Sequence, residues 1–78
     1  MKLYTKKVCG QCLYVKSELK AKGLEYEEIN LDENEEEKNK MIDRNLLSAP
    51  ILEVEGEFIN DTKAIIDKIG QIEAEEIA

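Results

Sequence analysis

The sequence predicts an α/β fold of order βαβαββα, with three helices covering both faces of a four-stranded mixed sheet. Three observations predict it. A strand, a helix and a second strand follow one another within about thirty residues, which is a parallel βαβ unit with a right-handed crossover. Two short apolar runs then flank Glu55-Gly56, the pattern of an antiparallel hairpin. Helical spacing returns afterwards at Ile65, Ile69 and Ile72.

Lys2-Leu3-Tyr4-Thr5 is the first strand, with Tyr and Thr favouring pleated backbone. A loop of five or six residues leads into the first helix. There Cys12, Val15 and Leu19 share a face, with Leu13 beside them. Lys16, Glu18, Lys20 and Lys22 look outward, and Lys20 and Lys22 suit the negative end of the helix dipole. Gly23 supplies the left-handed residue that ends the helix. Tyr26 to Leu31 is the second strand, its ends loosely placed because the alternation is not clean.

Asp32 to Asn45 holds a second helix capped by Asn34 or Asp32, with Glu35, Glu36 and Glu37 complementing its positive end. Met41 and Ile42 are nearly all the apolar residues it has to bury. A solvated surface helix is expected, with an acidic docking face as the alternative. Pro50 to Val54 is the third strand and Glu57 to Ile59 the fourth. Asn60-Asp61-Thr62 caps the last helix, where Ile66 lies beside the Ile65, Ile69 and Ile72 face. Gly70 weakens that helix near its end, and Glu73 to Ala78 extends it or frays.

The 78 residues make one domain spanning 1–78 with a modest core. The formal charge of −7, from 11 basic and 18 acidic residues, argues against nucleic acid and against an anionic membrane surface. No run approaches the ~20 apolar residues of a membrane span, and Met1 to Thr5 lacks the apolar block of a signal peptide. A cytoplasmic monomer is expected. In that compartment a Cys-x-x-Cys is catalytic or metal-binding rather than structural.

Cys9 and Cys12 are the only cysteines, and histidine is absent. A closed zinc site needs four ligands, so carboxylates or a second chain would have to complete it, and an iron–sulfur cluster would bridge two chains. That dimeric carrier is the alternative reading. The main reading is a redox-active Cys9–Cys12 pair at a strand-to-helix junction. Unpaired N–H groups of the first helical turn favour a Cys9 thiolate, and Lys6 or Lys7 adds positive charge. Cys9 is the expected nucleophile toward a substrate disulfide, and the more buried Cys12 resolves the mixed disulfide. Gly10 lets a partner approach closely, and Gln11 offers hydrogen bonding without charge, unless the two are simple spacing. Pro50 begins a strand that must lie beside the first one, near Cys9. A cis Ala49–Pro50 bond is expected there, leaving the Ala49 backbone to pair with an extended substrate.

The architecture is the thioredoxin type in its smallest form. Tyr4-Thr5-Lys6, Cys9-x-x-Cys12, Lys16, Ala49-Pro50 and the hairpin to Asp61-Thr62 resemble glutaredoxins and glutaredoxin-like redoxins over essentially the whole length. The resemblance implies a thiol–disulfide oxidoreductase acting on protein or low-molecular-weight disulfides in cell redox homeostasis. It implies no bound cofactor, and glutathione or a thioredoxin reductase as external reductant. It places Lys6 beside the thiolate and a glutathione carboxylate, and makes Ala49 and Pro50 the substrate-pairing residue and cis-proline. With Gln11, Asp61 and Thr62 these are the candidate substrate-binding residues.

Departures from the family pattern are specific. Gly10-Gln11 stands where Pro-Tyr is usual, Asn60-Asp61 where two glycines are usual, and Thr62-Lys63 where a pair holds the γ-glutamyl group. A lysine there does not pair with an ammonium. The Gln before the second cysteine, the short chain and Ser48-Ala49-Pro50 are similar to redoxins that donate electrons to ribonucleotide reductase, although their aromatic motif after the fourth strand is absent.

Overall fold

A computed structural model describes residues 1–77, with side chains through Glu75. The elements are β1 (Lys2–Thr5), α1 (Gly10–Ala21), β2 (Glu27–Asn30), α2 (Glu35–Asp43), β3 (Ile51–Val54), β4 (Glu57–Ile59) and α3 (Thr62–Ile77). Ala78, the last residue of the expected tail, lies outside the described residues. The sheet order is β2-β1-β3-β4. β1 pairs in parallel with β2, as a crossover helix requires, while β3 runs antiparallel to both β1 and β4.

Alternation along the two central strands divides the core. Leu3 opposes Leu52 and Tyr4 opposes Ile51, and successive side chains point to opposite faces. Leu3 and Leu52 join Val15, Leu19, Leu24, Ile65 and Ile69 under α1 and α3. Tyr4 and Ile51 join Leu31 and Met41 under α2. β1 is thus buried from both sides over Leu3, Tyr4 and Thr5, which fixes the strand that leads into the cysteines. No described helix is long and apolar enough to cross a membrane.

Helix ends obey local chemistry. After α1, Gly23 takes φ 68°; its N–H reaches the Lys20 carbonyl at 3.1 Å, and the Leu24 N–H reaches Leu19 at 3.0 Å. That is a Schellman motif, closed by the expected glycine and sealed by the buried Leu19 and Leu24. α2 ends the same way without a glycine. Asn45 takes φ 62°, and the Leu46 N–H reaches Met41 at 2.8 Å. Glu55 and Gly56, at φ 50° and 82°, make the primed turn that suits a two-residue hairpin.

Several details differ from the sequence reading. Leu13 is 63% exposed and Ile42 is 47% exposed, so neither joins a core. Each helix needs only the stripe that meets the sheet, and these side chains fall just off it. Asn34 occupies the N-cap position of α2 but makes no side-chain cap bond among the described residues, and Asp32 is engaged elsewhere. Lys16 and Lys22 do not simply face solvent: they pair with Glu28 at 3.2 Å and Glu73 at 3.5 Å. α3 runs through Gly70 to Ile77.

Candidate active site

The topology brings three loops to one end of the sheet. β1 ends there at Thr5. Because β3 is antiparallel to β1 with Tyr4 opposite Ile51, Ala49-Pro50 arrives at the same end. Because β4 is antiparallel to β3 with Leu52 opposite Ile59, Asn60-Asp61-Thr62 arrives there too. The segment Lys6 to Cys12, Leu47 to Pro50 and Asn60 to Thr62 therefore form one surface.

Cys9 is the N-cap of α1, with extended backbone at φ −154° and ψ 99°. That conformation turns its side chain back over the first helical turn, whose N–H groups have no partner inside the helix. Its sulfur accepts the Cys12 N–H at 3.1 Å, as a serine or aspartate oxygen would at this position. Cys9 and Cys12 are joined in a disulfide, with their Cα atoms 5.2 Å apart. The two differ in access. Cys12 is 2% exposed, whereas Cys9 is partly open.

Lys6 and Lys7 position this loop. The Lys6 ammonium donates to the Leu47 carbonyl at 3.4 Å, and the Lys7 N–H donates to the Asp32 carboxylate at 2.9 Å. Asp32 thus holds the cysteine loop rather than capping α2. Below the loop, Thr5 is buried and its hydroxyl donates to Glu28 at 3.0 Å. The same Glu28 oxygen accepts Lys16 of α1 at 3.2 Å, tying β1, β2 and the cysteine helix together.

Ala49–Pro50 is cis, as expected. Pro50 is buried, and Ala49 is partly exposed just before β3 begins. The preceding carbonyl, Ser48, accepts the Asn60 amide at 2.6 Å. Asp61 is the cap of α3: its carboxylate accepts the Ala64 N–H at 3.1 Å, and its carbonyl accepts the Ile65 N–H at 2.8 Å. Thr62 does not cap; its hydroxyl donates to the Gln11 side-chain carbonyl at 2.8 Å. Lys6, Cys9, Gln11, Cys12, Ala49, Pro50, Asp61 and Thr62 are thus gathered at one end, though Asp61 turns its carboxylate into its own helix.

Sequence reasoning missed Glu28, gave Asp32 only a capping role, and read Ser48 and Asn60 through the family pattern without joining them to each other. The signal for Asn60 was available, since a branched polar side chain sits where the family usually has glycine. Asp32 and Glu28 carried no comparable signal, because both belong to a long acidic stretch.

The surface around the dithiol is open and partly apolar, with Val8 97% exposed and Leu47 63% exposed. A cleft of about 540 Å³ lies along Glu27 to Asn30 and Glu33-Asn34. It does not include either cysteine. No three His, Cys, Asp or Glu side chains cluster as a metal site among the described residues. This geometry suits a reactive sulfur on a surface that a bulky disulfide can reach.

Comparison with known proteins agrees with this chemistry. The family model described as Glutaredoxin matches residues 1–59. Among solved structures, the chain is similar to the crystal structure of the thioredoxin-like protein BC3987, with 28% identity and a TM-score of 0.79 over 91% of this chain and 96% of that one. A point mutant of that protein is similar at 27% identity and a TM-score of 0.78, over 90% and 93%. No curated protein matches the chain.

Proposed function

The chain belongs to the glutaredoxin family, and from that premise we propose that it is an enzyme, a dithiol oxidoreductase that reduces disulfides of protein substrates. One observation carries the reading: an accessible Cys9 at the helix mouth is joined to a buried Cys12 one turn away. In the reduced form the N–H that now meets the Cys9 sulfur favours the thiolate by hydrogen bonding to its charge.

The Cys9 thiolate attacks one sulfur of a substrate disulfide. A Cys9–substrate bond forms and the substrate bond breaks, releasing one substrate sulfur as a thiolate that takes a proton. Cys12, deprotonated, then attacks the Cys9 sulfur. The Cys9–Cys12 bond forms, the mixed disulfide breaks, and the second substrate sulfur leaves as a thiolate. The substrate gains two electrons and the dithiol loses them. An external dithiol or thiol must return those electrons.

An extended substrate segment pairs with the Ala49 backbone beside Pro50, adding a strand-like contact. Of the two reductants, we favour a thioredoxin reductase over glutathione. The α3 N-terminus is already capped by Asp61, and Lys63 puts a cation beside it. A ribonucleotide reductase is one protein disulfide that such a donor serves in the cytoplasm.

The test is reduction of a protein disulfide by purified protein, with either thioredoxin reductase and NADPH or glutathione and glutathione reductase. Turnover with the reductase alone is expected. Turnover with glutathione alone reverses the choice of reductant, and no turnover with either sinks the enzymatic reading.

A further inference from the structure

Between the two cysteines stand Gly10 and Gln11, and of these only Gln11 has a side chain. That side chain is fixed from 51 residues away, by the Thr62 hydroxyl at 2.8 Å. The Thr62 backbone is placed by the helix, since it is the first residue of α3 and follows directly on the Asp61 cap. Thr62 lies beyond the 1–59 stretch that the family model matches, and its bond to Gln11 is a geometric relationship that the family pattern does not supply.

We propose that Thr62 is a positioning residue of the dithiol, which holds Gln11 so that the Cys12 sulfur stays within reach of Cys9. The proposal rests on the oxidoreductase reading. In the disulfide form the covalent ring already restrains Cys9 to Cys12, and the Thr62 bond adds little order. Once the ring opens, Gly10 gives the segment wide backbone freedom. Only those conformations that bring the sulfurs together close the ring. The Thr62 bond narrows that open ensemble, which raises the effective concentration of the Cys12 thiolate at the Cys9 sulfur.

The affected step is resolution. Cys12 attacks Cys9, the Cys9–Cys12 bond forms, and the Cys9–substrate bond breaks with the electron pair leaving on the substrate sulfur. Loss of the Thr62 hydroxyl leaves the chemistry of each sulfur unchanged and makes their meeting less frequent. The disulfide then becomes less stable relative to the dithiol, and the protein becomes a weaker reductant.

The full chain and its variants Thr62→Val, Thr62→Ser and Gln11→Ala are equilibrated with dithiothreitol in defined reduced-to-oxidised ratios. Dithiol and disulfide fractions are then counted by alkylation and mass spectrometry. Thr62→Val is expected to lower the ring-closing constant about three- to tenfold, the effect of one modest hydrogen bond. That is a rise of roughly 15–30 mV in potential, at 29.6 mV per tenfold. Gln11→Ala should match it, the double variant should add nothing further, and Thr62→Ser should return within about twofold of the parent.

A Thr62→Val constant equal to the parent's, in a protein whose circular dichroism shows it folded, overturns the proposal. Should Thr62→Val not fold, an unchanged constant in Gln11→Ala, on an exposed position, overturns it equally. A parent protein that exchanges no disulfide at all brings down the oxidoreductase reading itself, which is a different result.

Discussion

The Cys9 sulfur accepts the Cys12 N–H at 3.1 Å, while Cys12 is itself 2% exposed. Two cysteines in one helical turn therefore differ in both solvation and access, and they are not interchangeable. Replacement of Cys9 by Ser should abolish disulfide reduction. Replacement of Cys12 by Ser should stop dithiol turnover yet leave Cys9 able to attack, so a Cys9 mixed disulfide accumulates. Mass spectrometry after exposure to a protein disulfide checks both; substantial turnover by the Cys9 variant would contradict the assigned order of attack.

Tyr4 gives the fold an alkaline limit. Its ring is buried against the α2 face, and its hydroxyl donates to Glu53 at 2.6 Å. Burial first, then the hydrogen bond and charge of Glu53, push the phenol well above its ordinary range, with Arg44 opposing weakly. The raised value means that the folded state keeps its proton where the unfolded chain loses it. The contribution is complete below the unfolded value of about 10 and is lost as pH rises above it. Urea denaturation should show stability falling above pH ~10. Tyr4→Phe should flatten that fall while costing roughly 1 kcal/mol at neutral pH.

Packing makes a sharper prediction within one helix. Leu19 is fully buried among Leu3, Leu52, Ile65 and Ile69, whereas Leu13 is 63% exposed. Leu19→Ala should cost about 2–5 kcal/mol through lost transfer energy and a cavity. A domain of this size has only about 4–12 kcal/mol to lose. Leu13→Ala should stay within about 0.5 kcal/mol. Chemical denaturation of the two variants decides it, and equal losses would mean that α1 packs on a different face.

The contrast between Leu19 and Leu13 also shows what could be read from the chain. Elements and topology were legible because period, turns and caps agreed: Gly23, Glu55-Gly56 and the Ile65–Ile69 spacing each have one physical interpretation. The cysteine pair was legible because its spacing and its helix mouth agree. The ties that assemble the site were not. Lys7 to Asp32, Asn60 to Ser48 and Thr62 to Gln11 join polar residues far apart in sequence. Each such residue has an equally good local use, as a cap or a solvated charge. Only the sheet order decides between these uses, by bringing three loop ends together.

One of those ties predicts how substrate is held. The Asn60 amide reaches the Ser48 carbonyl at 2.6 Å, while the Lys6 ammonium reaches the neighbouring Leu47 carbonyl only at 3.4 Å. The first is short and the second is at the outer limit of hydrogen-bond distance, so Asn60 is the stronger anchor of the loop before Pro50. Asn60→Ala should loosen the loop that the proposed strand-like pairing uses, raising KM for a protein disulfide about two- to fivefold. It touches neither sulfur, so kcat should hold. Asn60→Asp should do worse, because a carboxylate facing the Ser48 carbonyl offers no donor and repels it. Lys6→Met should change KM less than Asn60→Ala. Steady-state kinetics of the three variants ranks them, and a kcat loss in Asn60→Ala at constant KM would place Asn60 in the chemistry rather than in substrate pairing.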